Sequence, residues 1–186
     1  GIIIAYSCFD RIAISYDEQA RQIEEKIEEY RQASKKLSSD KFAKKREALQ
    51  KKLIEVHTAK RLGNEIYFDE LKVNTIFLDE AHNYKNAPIE TQIGNVLGIN
   101  STGSARCQGM IDKVAFVQRT NGGRGAVLAT GTPITNSITD AFIMQKYLQD
   151  GDLKMLGLSS FDGWVGMFAE RRTEFEIDVD TGSYRL

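Results

Sequence analysis

The chain has 186 residues, which is enough for one domain with a hydrophobic core and short for two domains. Its hydrophobic fraction of 41% and charged fraction of 27% are typical of a globular protein, and the two prolines give no sign of a disordered composition. The net charge of -1 gives no overall attraction to nucleic acid or to a membrane surface, and no apolar run approaches the roughly 20 residues of a bilayer span. Cys8 and Cys107 show no pairing pattern, which argues against a disulfide framework or a zinc site and is typical of a reducing compartment.

The chain begins inside an apolar run. Residues 1–6 are apolar and rich in isoleucine, a composition that predicts a buried strand. No initiator methionine precedes this run, and a natural protein rarely begins in mid-strand. We therefore expect the chain to be a piece of a longer protein.

Two amphipathic helices are predicted between residues 17 and 62, the first begun by Ser15 or Asp17 as its cap. Ser38-Ser39-Asp40 separates them, and Gly63 follows the second. Two long helices joined by a short polar turn predict an antiparallel helical hairpin. The apolar positions are Ala20, Ile23, Ile27 and Tyr30 in the first helix, and Phe42, Leu49, Leu53 and Val56 in the second.

Charge is divided unevenly over this hairpin. Residues 17–31 contain six acidic and three basic side chains, whereas residues 35–61 contain ten basic and three acidic ones. The basic helix is a candidate for contact with the phosphates of DNA through Lys44, Lys45, Lys51 and Lys52. The alternative is a solvated face that pairs with the acidic first helix.

The rest of the chain alternates between strand and helix patterns. Strands are predicted at 73–78 and 126–129, with a helix at 104–120 between them and helices near 136–149 and 159–169 after them. The tail, 174–186, has a weak hairpin signal around Asp180-Thr181-Gly182. This alternation predicts an α/β fold with a mainly parallel sheet, in which ligands bind at the carboxyl ends of the strands.

Two adjacent carboxylates, Asp79 and Glu80, follow the first of these strands. Bringing two neighbouring carboxylates out of water costs free energy unless a cation or hydrogen bonds offset it. A nucleotide-bound Mg²⁺ is such a cation: one carboxylate orients the metal and the other deprotonates an attacking water. The alternative is that the two acids cap a strand at the surface.

Asp79-Glu80-Ala81-His82 spells the DEAH box, the Walker B element of superfamily-two helicases. The next residues, 83–86, resemble the DEAH-x-x-KN extension of Swi/Snf-like translocases. Residues 128–137, with the sequence LATGTPITNS, resemble motif III of the same proteins. Segments 73–82 and 126–137 therefore each carry a helicase motif at a strand end.

Further segments narrow the resemblance. Residues 7–12, 122–125, 144–149 and 161–164 resemble the large bacterial and phage helicases that are linked to N-6 adenine DNA methylases on mobile elements. The resemblance implies an ATP-driven motor on double-stranded DNA, built from two RecA-like lobes. Residues 1–186 would form part of the first lobe, of the P-loop NTPase type, with the hairpin as an insertion.

The resemblance also implies site residues and partners. Asp79 would orient Mg²⁺ bound to ATP, and Glu80 would activate water. A relay from the nucleotide to the DNA-contacting surface would run through His82, Thr130, Gly131 and Thr132, and Asn136 would join the candidate DNA contacts. A DNA methylase domain in the same or a neighbouring chain is an expected partner, and the expected location is the bacterial cytoplasm, at the nucleoid.

The sequence departs from this pattern in one important respect. None of its segments has the form G-x-x-x-x-G-K-[ST], because glycine-rich residues 94–98 and 122–125 lack the lysine and hydroxyl pair. Motifs of a second lobe and the N/D-P-P-Y methylase motif do not occur either. We therefore expect these 186 residues alone to be inactive. The hairpin precedes the DEAH box, whereas Swi/Snf protrusions follow motif III, so the resemblance implies no role for it. The alternative is a non-catalytic DNA-binding or protein-docking module that uses the basic hairpin.

Overall fold

The structure is a computed structural model that describes residues 1–36, 40–59, 61, 63–89, 91, 93, 99, 102–135, 137–170, 176–177 and 184–185. Its helices are α1 (Tyr6–Phe9), α2 (Tyr16–Lys36), α3 (Asp40–Thr58), α4 (Ala105–Thr120), α5 (Ile138–Met155) and α6 (Phe161–Phe168). Its strands are β1 (Ile76–Leu78), β2 (Ala126–Leu128), β3 (Glu176–Ile177) and β4 (Tyr184–Arg185). Short 3-10 helices span Phe68–Leu71 and Ala81–Tyr84. None of the helices in the described part of the chain combines the length and apolar content that crossing a bilayer requires.

Strands β1 and β2 form a parallel pair. Ile76 lies opposite Ala126 and Leu78 opposite Leu128. The backbone hydrogen bonds continue past the strands, because Ala129 N–H donates to the Leu78 carbonyl at 2.8 Å and Ala81 N–H donates to the Ala129 carbonyl at 2.9 Å. A parallel pair with helices packed against it is compatible with the α/β prediction, whereas the RecA-like arrangement stays a prediction.

One face of this sheet is covered and the other is not. Ile76 and Leu78 are buried, but Phe77 between them is 77% exposed and Val127 beside it is also exposed. The apolar runs at 73–78 and 126–129 predict buried strands, and burial is confirmed for Ile76 and Leu78 but not for Phe77 and Val127. Continuous apolar strands are typical of parallel sheets with helices on both faces, and here α4 and α5 pack against one face.

The main core lies between that covered face and the helices. Serine side chains cap three of the helices that surround it: Ser104 begins α4, Ser137 begins α5 and Ser160 begins α6. Helix α5 runs past the predicted end at residue 149, but Gln149 itself has non-helical backbone angles and marks a kink. The largest fully buried side chains among the described residues are Phe68, Tyr84, Cys107, Met110, Val117, Thr139, Leu153 and Phe161.

The predicted buried strand at residues 1–6 is wrong. Ile2, Ile3 and Ile4 are exposed and form no strand, and Tyr6 begins the one-turn helix α1. An apolar β-branched run becomes a strand only beside a partner with open hydrogen-bonding groups, and none of the described residues pairs with it. The chain packs against the core from Tyr6 onward. The Tyr6 ring lies edge-on to the Tyr84 ring, with 5.8 Å between the centroids.

Helices α2 and α3 pack as an antiparallel pair with a small core of their own. Ser15 caps α2 through a 3.3 Å hydrogen bond from Glu18 N–H, as one of the two predicted caps. Helix α3 ends at Thr58, before the predicted end near residue 62, and residue 62 lies outside the described residues. The residues of the small core are Ala20, Ile23 and Val56, with Tyr16, Ile27, Leu49 and Leu53 packed against them.

The predicted hairpin of the tail is confirmed at its paired ends. Strands β3 and β4 are antiparallel, with Glu176 opposite Arg185 and Ile177 opposite Tyr184. The turn predicted at residues 180–182 lies outside the described part of the chain.

Candidate functional site

The two strand ends of the parallel pair bring the two sequence motifs together. Asp79 and Glu80 follow β1 directly, and Thr130 lies two residues beyond the end of β2. Because the strands are parallel and in register, both motifs lie at the carboxyl edge of the sheet. This edge is where ligands bind in open α/β sheets.

Glu80 has a left-handed backbone conformation, with φ 47° and ψ 46°. This region is uncommon for a residue with a long side chain, and occupying it costs on the order of 1 kcal/mol or more. The side chain of Glu80 is exposed, and its Oε2 lies 3.1 Å from His82 Nδ1. The turn therefore presents the Glu80 carboxylate at the edge of the sheet, in a backbone geometry of the kind that clusters at functional sites.

His82 connects the two motifs directly. Its Nδ1 lies 3.2 Å from Thr130 Oγ1, and Thr132 N–H donates to the same hydroxyl oxygen at 3.1 Å. Because the Glu80 carboxylate offers only acceptors, we assign the proton to His82 Nδ1, which then donates toward both oxygens. Gly131 and Thr132 lie on the exposed loop that follows. The structure thus brings His82 and Thr130 together, and the relay role of the four residues stays a prediction.

The donor set at Asp79 fits a metal that is held mainly by a nucleotide. Asp79 is exposed, and its Oδ1 accepts a 3.0 Å hydrogen bond from Glu80 N–H. Mg²⁺ typically takes one or two protein carboxylates and fills its other positions with water and phosphate oxygens. The described residues contain no cluster of three or more acidic, histidine or cysteine side chains that could enclose an ion. Asp79 therefore fits a Mg²⁺ ion that is bound to phosphates.

The segment after the DEAH box is held firmly by the core. Tyr84 is fully buried, its hydroxyl donates to Asp10 Oδ1 at 2.8 Å, and its carbonyl accepts from the Tyr147 hydroxyl at 3.2 Å. Burial, with the Asp10 carboxylate as a second cause, raises the pKa of Tyr84 to about 12. Arg106 lies against the Tyr84 ring, with its guanidinium carbon 4.5 Å from the centroid. The buried and hydrogen-bonded Tyr84, two residues further along the chain, therefore helps to fix the position of His82.

Sequence reasoning missed two residues at this edge, Lys85 and Asp140. They form a nearly buried ion pair that joins the DEAH segment to the first turn of α5. The available signal was Lys85, which is the lysine of the DEAH-x-x-KN extension. Asp140 carries no motif signal, because an acidic residue in the first turn of a helix is common.

The candidate DNA contacts on the hairpin are distributed over α3. Lys44, Lys51 and Lys52 are exposed, and Lys51 pairs with Glu47 at 3.0 Å. Lys45 lies over the Tyr30 ring, 5.6 Å from its centroid. Asn136 lies outside the described residues.

The acidic side chains of α2 have partners other than these lysines. Glu18 pairs with Arg119 of α4 at 2.8 Å, and Glu29 pairs with Lys154 of α5 at 2.7 Å. The described residues include no carboxylate within ion-pair distance of Lys44 or Lys52. The idea that the acidic helix neutralises the basic one therefore finds no support at these two positions.

A cavity of about 500 Å³ lies between the hairpin, α4 and α5. Apolar side chains such as Leu49, Ile111 and Phe142 line it together with charged ones such as Asp112 and Lys146. None of the predicted catalytic or relay residues lies among its lining residues. The cavity therefore marks the seam between hairpin and body rather than the edge of the sheet.

The chain belongs to a family described as "probable helicase domain", whose model matches residues 2–183. It is also similar to Defense against restriction protein B of Escherichia phage P1, with 30% identity over 111 residues. That match covers 58% of this chain and 5% of the phage protein, so the chain spans a small part of its relative's length. No solved structure matches the chain.

Proposed function

We propose that this chain carries the metal-orienting and water-activating carboxylates, and the coupling loop, of an ATP-driven helicase or translocase that moves on double-stranded DNA. The observation that carries the proposal is the contact of His82 with Thr130, which joins the ends of two parallel strands beside Asp79 and Glu80. Membership of a probable helicase family supports the reaction class. The phage source of the relative supports a setting on mobile DNA in a bacterial cell. The location at the nucleoid and the DNA methylase domain as partner rest on the sequence resemblance alone.

Each carboxylate has a separate role in this proposal. Asp79 holds a Mg²⁺ ion whose charge lowers the cost of charge build-up on the ATP phosphates. Glu80 accepts the proton of the attacking water, since its carboxylate is exposed at the edge and lies 3.1 Å from His82 Nδ1. The phosphate-binding loop comes from outside these 186 residues, which contain no G-x-x-x-x-G-K-[ST] segment.

The test is Glu80→Gln in the complete natural protein that contains this chain. A general base contributes about 10²- to 10⁴-fold to a rate, so ATP turnover should fall by that order while ATP affinity stays nearly unchanged. Glu55→Gln, which makes the same change at an exposed position of α3, is the matched control and should leave both unchanged. If turnover and affinity fall together in Glu80→Gln, this carboxylate is a structural or metal-binding group.

The 186-residue chain alone should release no phosphate from ATP. Its carboxylates can orient a metal and a water, but nothing in its sequence cradles the β and γ phosphates. Steady phosphate release that is stimulated by DNA and abolished by Glu80→Gln would contradict this expectation.

A second candidate function is DNA binding or protein docking by the basic hairpin. The observation that favours it is that Lys44 and Lys52 are exposed and have no carboxylate partner among the described residues. If α3 contacts phosphates, binding to duplex DNA should weaken with salt by a slope of about -0.9 for each phosphate neutralised.

The substitutions Lys44→Gln, Lys45→Gln, Lys51→Gln and Lys52→Gln together should flatten that slope by about two to four, and glutamine keeps the helix propensity. Lys72→Gln, at an exposed position outside the hairpin, should leave the slope nearly unchanged. An unchanged slope in the four-site variant would show that these lysines do not contact DNA phosphates.

A further inference from the structure

Lys85 and Asp140 form an ion pair inside the candidate site, 55 residues apart in the sequence. Lys85 Nζ lies 2.9 Å from Asp140 Oδ2, and the two side chains are only 11% and 13% exposed. Exposed ion pairs contribute little, but the loss of one partner from a nearly buried pair leaves an uncompensated charge. The pair is therefore a fixed point of the structure rather than a transient surface contact.

All three hydrogens of the Lys85 ammonium have acceptors around them. Besides Asp140, they reach the Thr132 carbonyl at 3.2 Å and Thr135 Oγ1 at 2.8 Å. Asp140 Oδ2 in turn accepts from Thr135 N–H at 2.9 Å and from the Thr135 hydroxyl at 3.0 Å. A compact ammonium with three donors suits this arrangement better than the planar guanidinium of arginine.

This network fixes the loop after β2 more firmly than the histidine contact does. His82 reaches Thr130 through one interaction at 3.2 Å, with its side chain more than a third exposed. Lys85, whose side chain is only 11% exposed, donates to the exposed loop at two points, the Thr132 carbonyl and the Thr135 hydroxyl. Burial raises the pKa of Asp140, but the hydrogen bonds from Lys85 and Thr135 outweigh it and hold the pKa below its ordinary value, so this carboxyl is ionised near neutral pH.

We propose that Lys85 and Asp140 are positioning residues that lock the loop over residues 131–135 to the strand end that carries Asp79 and Glu80. Movement at the carboxylates then displaces that loop as one body. This inference rests on the proposed function, because it names the connection through which that site controls the neighbouring loop.

The first test measures ATP turnover in the complete natural protein. A mispositioned loop raises the barrier more than it weakens binding, so Lys85→Met should lower kcat about tenfold while KM for ATP changes less than about threefold. Asp140→Asn keeps the shape of the side chain and should lower kcat at least about threefold. The matched control is Lys146→Met, which removes the 3.1 Å pair of Lys146 with Asp150 on the same helix and should change kcat less than about twofold.

The second test measures amide hydrogen exchange in the 186-residue chain, where no turnover is needed. Thr135 N–H donates to Asp140 Oδ2, and Lys85 holds that carboxylate in place, so Lys85→Met should loosen this hydrogen bond and raise the exchange rate of the Thr135 N–H about tenfold, with no change in Lys146→Met. If Lys85→Met does not fold, Asp140→Asn decides in both tests, with faster Thr135 exchange and lower kcat expected.

Glu80→Gln, measured in the same turnover assay, separates the inference from the proposed function. If Glu80→Gln keeps full turnover, the proposed function is wrong. If Glu80→Gln loses turnover while Lys85→Met and Asp140→Asn behave like Lys146→Met, the function stands and the positioning role is overturned. Equal Thr135 exchange in all variants would overturn the positioning role as well.

Discussion

Glu18 anchors the hairpin to the body of the domain, and replacing it with glutamine tests how much a buried carboxylate contributes here. The residue is 6% exposed and is one of three buried polar or charged side chains among the described residues. Its carboxylate accepts hydrogen bonds from Arg21 Nη2 at 2.5 Å, from Arg119 Nη2 at 2.8 Å and from Gln22 Nε2 at 2.9 Å. Since Arg119 belongs to α4, the substitution weakens the connection between hairpin and body.

The expected loss of stability is about 2 kcal/mol. Glu18→Gln keeps the volume and one acceptor oxygen but removes the charge, and a hydrogen bond to a charged group contributes roughly 1 kcal/mol more than a neutral one. The loss stays below the 3–5 kcal/mol typical of a fully buried broken pair, since Arg21 and Arg119 are about 27% and 40% exposed and water can solvate them. For a chain of this size the melting temperature should fall by about 4–8 °C.

The pH dependence of this loss follows from the pKa of Glu18. Burial raises that pKa, but hydrogen bonds from Arg21 and Gln22, together with the charges of Arg21 and Arg119, outweigh the effect and lower it. A carboxylate with a lowered pKa stabilises the fold above its unfolded value of about 4.3, and this stabilisation disappears as the pH falls through the folded value. The difference between wild type and Glu18→Gln should therefore be constant near neutral pH and shrink below about pH 4.

Urea unfolding of both variants measures this difference. The control is Glu25→Gln, because Glu25 pairs with the same Arg21 but is exposed, and its loss should stay below about 0.5 kcal/mol. If the two substitutions reduce the free energy of unfolding equally, burial does not strengthen the Glu18 interactions and the anchoring argument is refuted.

Three further substitutions have outcomes that the structure determines. Burial raises the pKa of Asp112, so its stabilisation is complete below the unfolded value of about 3.9 and is lost as the pH rises through the folded value. In urea unfolding, Asp112→Asn should therefore be more stable than wild type near pH 7 but not near pH 3, and the exposed control Asp152→Asn should show no such dependence. Glu80→Gly should increase the free energy of unfolding by about 1 kcal/mol, because glycine adopts the left-handed backbone of this position without strain. Glu80→Gln should not increase it. Gly125→Ala should lose about 2 kcal/mol or more in thermal unfolding, because φ is 110° and a Cβ would lie 2.4 Å from the Asn74 carbonyl oxygen.

The helices followed from the sequence because their signals are local. Apolar spacing predicts α4 nearly residue for residue, 104–120 against the observed Ala105–Thr120. The strands followed less well, because a strand depends on what lies beside it. The same apolar character that predicted β1 also predicted a strand at residues 1–6. In the described part of the chain, β1 has a partner strand and residues 1–6 have none.

The parts of the candidate site that the sequence could not supply are those that depend on distance. The adjacency of Asp79 and Glu80 is visible in the sequence, whereas the ion pair of Lys85 with Asp140 joins residues on different elements. Glu18 and Arg119 are 101 residues apart, and neither stands in a motif. Nothing in a single sequence indicates which basic and which acidic residues will pair over such distances. Only the folded structure identifies these ion pairs.

The contact between His82 and Thr130 has an intermediate status, because it follows from the register of the strands rather than from a motif. The two residues are 48 positions apart, but the backbone ladder carries Leu78 opposite Leu128 and continues to Ala81. A slip by one residue would turn Leu128 outward and Val127 inward, so the register decides which side chain packs against the core. Gly125 also restricts the register, since a Cβ at this position would collide with the backbone carbonyl oxygen of Asn74, just before β1. The geometry of the candidate site is thus a consequence of how two short strands are packed, and it depends on residues at the opposite end of the sheet.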